Sequence, residues 1–174
     1  YNGGGGVAYI SGLCNSQVKY KMGYMGIYSS YSNVPTYSWT VEVVAHENGH
    51  LLGSHHTHDC VWNGNNTPID GCGPAVGYTS GTCAVGPIPV KGTIMSYCHL
   101  YPNPGIDLSL GFGTQPKTVM INSIHAASCL TVCGSACLVP AQPSAITGSP
   151  TVCSGSSQTS SVDLVSGATG YTWS

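Results

Sequence analysis

Histidines and one glutamate between residues 46 and 56 form a pattern suited to binding a metal ion. The segment runs His-Glu-Asn-Gly-His-Leu-Leu-Gly-Ser-His-His. His46 and His50 are four residues apart, so on a helix both lie on one face and can bind the same ion. If His56 is the third ligand, three imidazoles suit Zn²⁺, which prefers nitrogen and sulfur. Three protein ligands leave the fourth position to water, which is typical of a catalytic zinc site.

Glu47, Gly53 and His55 have separate predicted roles around these ligands. The Glu47 carboxylate can reach a water on the metal without binding the metal itself, which predicts a general base. Gly53 adopts positive φ at no steric cost, so we expect it to end the helix and to turn His56 back toward the ion. His55 is predicted to be exposed or to support a ligand indirectly.

A methionine-containing segment, Thr93-Ile94-Met95-Ser96-Tyr97, follows downstream. Together, H-E-x-x-H-x-x-G-x-x-H and this turn resemble the metzincin zinc endopeptidases, reprolysin or adamalysin branch, of the bacterial secreted type. The resemblance covers roughly residues 3–130. It implies a protein or peptide substrate and an apolar floor formed by Met95 under the ligands. The chain departs from the adamalysins directly after His56, where Thr57 stands in place of aspartate.

Tyr97 has two possible roles. In the astacin and serralysin branches a tyrosine at the matching place approaches the metal or the developing oxyanion, so the resemblance implies a catalytic phenol. The alternative is a structural aromatic that packs beside the methionine turn, in a chain with eleven tyrosines.

A short run of β-forming residues from Val7 to Leu13 predicts a strand. Its similarity to the G-x-A-Y-x-x-x-x-C segment of reprolysins implies an edge strand, with substrate pairing antiparallel to it. The substrate-binding residues would be Val7, Ala8, Tyr9 and Ile10. An ordinary core strand is the alternative. The tyrosine-rich segment from Asn15 to Tyr37 is predicted either to help form the pocket for the side chain after the scissile bond or to be a surface loop.

Two helices are predicted from apolar periodicity. Between Ser38 and Gly53 the large apolar residues fall on one face and should be buried. They are Val43, Val44, Leu51 and Leu52. A second helical pattern, over residues 115–127, fits the C-terminal helix of a metzincin domain.

Charge and cysteine content limit the classes of function. Charged residues make up 6% of the 174 residues and the net charge is -2, against about 25% charged residues in typical globular proteins. This composition disfavours nucleic-acid binding and a polybasic membrane patch. No run of 18 apolar residues is present, so no transmembrane helix is predicted. Nine cysteines indicate disulfides and an oxidising, extracellular location.

The expected disulfides staple the segments around the metal. Cys60 and Cys98 flank the zinc helix and the methionine turn, and they should pair with each other or with Cys72 or Cys83. Cys14 should reach the region of Cys129. Cys153 is predicted to be the odd thiol. A cysteine-zinc site is the disfavoured alternative, because the spacing in residues 129–137 lacks paired C-x-x-C motifs.

The predicted fold class is α+β. A metzincin-like zinc protease domain, with active-site helix, edge strand, methionine turn and C-terminal helix, is assigned to residues 1–137. Residues 138–145 form a linker by composition. Residues 146–174 resemble the start of a PKD-like or Ig-like β-sandwich, with Trp173 as its core tryptophan. With only 45 residues before His46, we expect the catalytic domain to lack N-terminal strands and the sandwich to be truncated.

The function predicted from these residues is a secreted zinc endopeptidase with Glu47 as general base. The main alternative is a non-catalytic adhesion or binding module with a structural zinc, which the intact Glu47 disfavours. A metal-dependent carbohydrate or lipid hydrolase is a weaker third hypothesis. A calcium site is a further possibility, at an oxygen-rich loop that otherwise consists of turn formers. Its residues are Asp59, Asn63, Asn65, Asn66 and Asp70. The sequence predicts no particular oligomeric state.

Overall fold

The structure is a computed structural model that describes residues 4–130, 144–148, 151, 153–163 and 165. The chain divides into two compact units, Tyr1–Leu130 and Thr131–Ser174. The first unit combines helices with a small sheet, so the predicted α+β class is confirmed at that level. The linker predicted at residues 138–145 falls mostly outside the described residues, and so does Trp173.

Helix α1, Trp39–Leu51, carries the histidine motif. It begins after Ser38 and ends at a turn in which Gly53 has a φ of 97°. The Gly53 N–H donates to the His50 carbonyl oxygen at 2.8 Å, which satisfies one of the carbonyl groups left open at a helix end. The prediction that Gly53 uses positive φ to end this helix is therefore confirmed.

The buried face of α1 differs from the predicted apolar face. Val43 is buried, but Val44 is 41% exposed and the two leucines are only half-buried. The buried positions are mostly polar, since Glu42, His46, Glu47 and His50 are each 6% exposed or less. Burying polar groups is costly unless they find partners. The buried face of this helix therefore carries mainly polar side chains suited to a functional site, and few apolar side chains that would pack in a core.

A two-stranded antiparallel sheet lies beside α1. Strand β1 is Gly5–Ala8 and strand β2 is Gly23–Gly26, and their register places Gly5 opposite Gly26 and Ala8 opposite Gly23. Helix α1 contacts both strands. Among the described residues, no strand pairs with the second edge of β1.

The predicted strand from Val7 to Leu13 was wrong at both ends. It starts at Gly5 and stops at Ala8, so Tyr9 and Ile10 are outside it. After a turn with Ser11 at a φ of 60°, the N–H groups of Ser11 and Leu13 donate to carbonyl groups in the last turn of α1 at 2.9 and 3.0 Å. These open carbonyls compete successfully for the backbone of the segment, which ends the strand early.

The core lies on the other side of α1, around the methionine turn. Helix α2, Cys72–Ala75, and helix α3, Thr114–Ala126, both contribute to it. The same unit also contains 3-10 turns at Val18–Lys21, Tyr97–Leu100 and Leu108–Leu110. The buried core residues are Cys72, Ile94, Met95, Cys98, Ile106, Leu108 and Met120. The predicted C-terminal helix is confirmed to within one residue, although of its large apolar side chains only Met120 is buried.

Three disulfides cross-link the first unit. They join Cys14 to Cys129, Cys60 to Cys83 and Cys72 to Cys98. The Cys14 pairing is as predicted, and the other two are among the pairings left open above. Cys153 is exposed and unpaired within the described part of the chain.

The oxygen-rich loop does not support the predicted calcium site. One Asp70 oxygen accepts a hydrogen bond from the Cys72 N–H at 3.0 Å, and Asp59 is engaged by His55 and by the Ser80 hydroxyl. Asn63 and Asn66 adopt φ of 59° and 58°. These residues serve as turn formers and hydrogen-bond partners, not as converging ligands.

The described residues of the second unit contain an antiparallel bridge between Thr147 and Ser161. Their backbone groups exchange hydrogen bonds of 2.8 and 3.0 Å, and the Asp163 N–H donates to the Ser144 hydroxyl. Among the described residues, no helix is long and apolar enough to cross a membrane.

Candidate active site

The side chains of His46 and His50 are oriented by backbone carbonyl groups. His46 Nδ1 lies 2.7 Å from the Ile94 carbonyl oxygen, in the methionine turn, and His50 Nδ1 lies 2.7 Å from that of Ser54, just past the helix end. A carbonyl oxygen only accepts, so both Nδ1 atoms carry the proton. Each Nε2 atom therefore presents a lone pair, which is the state that binds a metal.

The three Nε2 atoms converge on one point. His50 Nε2 lies 3.2 Å from that of His46 and 3.1 Å from that of His56. Tetrahedral Zn–N bonds of about 2.0–2.1 Å place two ligand nitrogens about 3.3–3.4 Å apart, close to these values. Lone pairs of His46 and His50 that face each other at this distance repel unless a cation lies between them. The donor set and its spacing fit Zn²⁺.

Burial keeps these histidines neutral. Burial is the largest cause that lowers the pKa of His46, to about 4, and it also lowers the pKa values of His50 and His56. The nearby imidazoles lower the pKa values of His46 and His56 further, because charging one ring disfavours charging the next. Ligation requires neutral imidazole, so the site is ready for a metal at neutral pH.

His56 is positioned by the loop that follows it. Trp62 Nε1 donates to the His56 carbonyl oxygen at 2.7 Å, and the His56 N–H donates to Asp59 Oδ2 at 3.2 Å. The same Asp59 oxygen lies 3.2 Å from Nδ1 of His55, whose side chain is 39% exposed. His58 stacks on His56 with ring centroids 5.0 Å apart. His55 thus lies away from the point where the three Nε2 atoms meet, which agrees with the expectation from the sequence.

Glu47 is buried beside the histidines, 4% exposed. Its Oε2 atom is buried and receives no hydrogen bond from any described residue. Burial raises the pKa of its carboxyl group to about 7. A carboxylate with an unsatisfied oxygen, in the same cleft as the three histidines, can accept a proton from a water molecule.

Met95 packs against helix α1, whereas Tyr97 packs against His56. Met95 is fully buried, and its sulfur lies 2.6 Å from where a Cβ on Gly49 would be, so it packs under α1. Its carbonyl oxygen accepts from the N–H of Thr57 at 3.1 Å. The Tyr97 ring packs at 4.6 Å from that of His56, and burial raises the pKa of its phenol.

A cleft of about 630 Å³ is lined by the three histidines, Glu47 and Tyr97, but not by Met95. Residues of strand β1 and of helix α1 both line it. Its lining residues are Gly4, Gly5, Gly6, Val7, Ala8, Tyr28, Tyr37, Trp39, Glu42, Val43, His46, Glu47, His50, His56, Tyr78, Tyr97, His99 and Leu100. Of the four predicted substrate-strand residues, Val7 and Ala8 line the cleft, whereas Tyr9 and Ile10 do not.

Comparison with known protein families agrees with this geometry. The reprolysin profile, described as metallo-peptidase family M12, matches residues 1–103, which is more than half of the chain. The chain belongs to metallopeptidase family M12. A PKD-like domain profile matches residues 139–174. No curated protein and no solved structure gave a significant match. The resemblance inferred from the sequence is confirmed for both parts of the chain.

Several residues of this M12 cleft were missed by sequence reasoning. Glu42 is buried, accepts a hydrogen bond from the Tyr37 hydroxyl at 2.7 Å, and lies 3.2 Å from His99 Nδ1. A signal for Glu42 was present in the sequence, because it precedes His46 by four residues and must share its helix face. Tyr28 and Tyr37 belong to the segment from Asn15 to Tyr37, one of whose two predicted roles was to help form a pocket of the site. Tyr78 and His99 gave no such signal, since separate parts of the chain bring them to the cleft.

Gly6 gives a first prediction for this M12 metallopeptidase. A Cβ atom at Gly6 would lie 2.3 Å from Glu47 Oε1, so Gly6→Ala should displace the carboxylate. We expect kcat to fall about tenfold with metal content unchanged, since misplacing a catalytic group by about 1 Å is costly. Peptide-hydrolysis kinetics with elemental analysis would check this.

Gly23→Ala is the matched control for this variant. It adds the same methyl group to β2, where the nearest atom, 3.1 Å away, is the flexible Met25 methyl carbon. If both alanine variants lose the same activity, the effect arises from the sheet and not from Glu47.

Proposed function

We propose that this chain is a secreted zinc-dependent endopeptidase in which Glu47 is the general base. The observation that carries the proposal is the convergence of three imidazole Nε2 atoms beside a buried carboxylate with an unpaired oxygen. Strand β1, whose second edge pairs with no strand among the described residues, lines the same cleft. The three disulfides support an extracellular location, since such bonds persist in oxidising compartments.

His46, His50 and His56 would hold the metal through Nε2. When bound, zinc supplies Lewis acidity, which polarises a carbonyl group and lowers the pKa of water to about 7. The protein holds the ligands rigidly, because the Ile94 and Ser54 carbonyl groups fix two of the three rings.

Substrate would lie along β1 in extended form. The second edge of Gly5–Ala8 offers backbone donors and acceptors to an antiparallel peptide, by strand addition. Because Gly6 lies directly against the Glu47 carboxylate, the scissile bond would be held at the level of Gly6. Glu47 then takes a proton from the attacking water and delivers it to the leaving amine nitrogen.

We propose that the Tyr97 phenol helps in the transition state, because Tyr97 lines the cleft and its ring packs 4.6 Å from that of His56. If its hydroxyl donates to the developing oxyanion, Tyr97→Phe should lower kcat about tenfold with little change in KM. The loss is smaller than the ~10²–10³-fold typical for an oxyanion-hole donor, since Tyr97 would share this role with the metal centre. Steady-state kinetics on one peptide would measure both constants. A Phe variant with parental kcat would assign Tyr97 to packing, alongside His58 and Tyr78, which its ring also contacts.

One experiment separates the enzyme from a non-catalytic adhesion module with a structural zinc. The full chain is incubated with an unstructured protein substrate, with and without a chelator, and zinc is then restored. The proposal requires cleavage that the chelator abolishes and zinc restores. A folded, zinc-loaded chain that cleaves nothing would favour the binding module.

A further inference from the structure

The part of the cleft next to the N-terminal end of α1 is called the side pocket here. Glu42 lies one helical turn before His46, about 6 Å along the axis, on the same face. Around it are aromatic side chains, and the rings of Trp39 and His99 lie 5.4 Å apart. The side pocket is lined by Tyr28, Tyr37, Trp39, Glu42, His99 and Leu100.

The direction of the bound peptide determines which substrate residue reaches this pocket. Just before β1, the chain passes Trp39 and Tyr28, since a Cβ on Gly4 would lie 3.8 Å from Trp39 Nε1 and 2.8 Å from the Tyr28 hydroxyl oxygen. At Gly6 it passes Glu47, and beyond the end of β1 Ser11 bonds to the last turn of α1. An antiparallel peptide runs the opposite way, so its residues after the scissile bond lie toward the side pocket.

The carboxylate of Glu42 is the polar group of this pocket that lacks a full set of partners. Its Oε2 accepts from the Tyr37 hydroxyl at 2.7 Å. Its Oε1 lies 3.2 Å from His99 Nδ1, but that nitrogen also lies 3.3 Å from the Ser96 carbonyl oxygen. One N–H hydrogen is shared between two acceptors, so buried Oε1 lacks a well-formed hydrogen bond.

Such a carboxylate favours a permanently cationic partner, and the described residues around it offer only the His99 imidazole, which is cationic only when protonated. No lysine lines the cleft in the described part of the chain, and the sequence contains no arginine. A substrate cation could take Oε1 while His99 keeps the Ser96 carbonyl as its acceptor. The aromatic walls suit the aliphatic stem and the charge of a long cationic side chain.

We propose that Glu42 makes the side pocket select lysine or arginine immediately after the scissile bond. This inference rests on the proposed peptidase function, and it names the substrate class of that same site. A buried group left unpaired by the wrong substrate discriminates strongly, so an apolar or acidic side chain at that position should be disfavoured.

Peptides that differ only at the residue after the scissile bond test the proposal. With the full zinc-loaded chain, kcat/KM for arginine or lysine should exceed that for leucine by at least about tenfold, and glutamate should be poorest. Glu42→Gln, which keeps the shape, should reduce the arginine-to-leucine ratio to within about threefold, whereas Glu42→Asp, which keeps the charge, should retain a basic preference. A leucine peptide cleaved as well as arginine by the parental chain overturns the proposal.

Two further outcomes distinguish substrate selection by Glu42 from a purely structural role of this residue and from loss of the peptidase function. If Glu42 is only structural, Glu42→Gln lowers kcat/KM for all peptides by one factor and leaves the ratio unchanged, which also overturns the proposal. Calorimetry adds a readout that needs no turnover, in which a product peptide beginning with arginine should bind more tightly than one beginning with leucine. If no peptide is cleaved at all, the peptidase function fails and this inference with it.

Discussion

Glu47→Gln is expected to lower kcat by at least about 10²-fold while the protein keeps its metal. The substitution preserves size and hydrogen bonding but removes the group that accepts a proton from water. Glu47 is not among the converging ligands, since the Nε2 atoms of the three histidines meet without it. Metal content should therefore stay at about one Zn²⁺ per chain. Hydrolysis kinetics and elemental analysis on the same preparation measure both quantities.

Glu42→Gln provides a matched control for this variant. It makes the same chemical change five residues earlier in the same helix, at a carboxylate that is also buried. Any general effect of replacing a buried carboxylate in α1 should appear in both variants, and thermal unfolding would show it. Loss of turnover on every peptide should be specific to Glu47→Gln. A zinc-loaded Glu47→Gln protein that retains parental kcat would exclude the general-base mechanism.

The metal-binding motif was predictable because its chemistry is local. His46, His50 and Glu47 are fixed relative to one another by one helix, and Gly53 carries its own signal because a positive φ favours glycine. Both the spacing of the ligands and the glycine that ends the helix can be recognised within one short stretch of sequence. The structure adds the partners of these groups, such as the Ile94 carbonyl group, which comes from a segment 48 residues away.

The sequence-based predictions that were wrong or incomplete concern positions where tertiary contacts override local preferences. The strand ends at Ala8 because the open carbonyl groups of α1 attract the backbone of Ser11 and Leu13, and no strand propensity encodes that. In the sequence, Glu42 resembles an ordinary acidic residue in the first turn of a helix. It is buried because other segments bring Tyr37 and His99 to it, and these contacts are not encoded locally. Such positions are where a functional site departs from local rules.

His56→Ala is expected to release the metal and to abolish hydrolysis, whereas His55→Ala is expected to keep about one Zn²⁺ per chain. The two residues are adjacent, yet only the His56 Nε2 atom reaches the other ligands, 3.1 Å from that of His50. His55 points to Asp59 and is 39% exposed at its side chain. With one ligand removed, two imidazoles cannot complete a tetrahedral site, so activity should fall by at least about 10²-fold.

The pair of variants is decisive because each serves as the control for the other. Both remove one imidazole at nearly the same place, so their effects on folding of the loop should be similar. Elemental analysis after dialysis measures the metal, and thermal unfolding with and without added zinc measures its coupling to stability. A ligand-competent chain gains stability by binding, so added zinc should raise the Tm of the His55→Ala protein but not that of the His56→Ala protein. The reverse result would identify His55 as the ligand, and the turn at Gly53 would then need a different role.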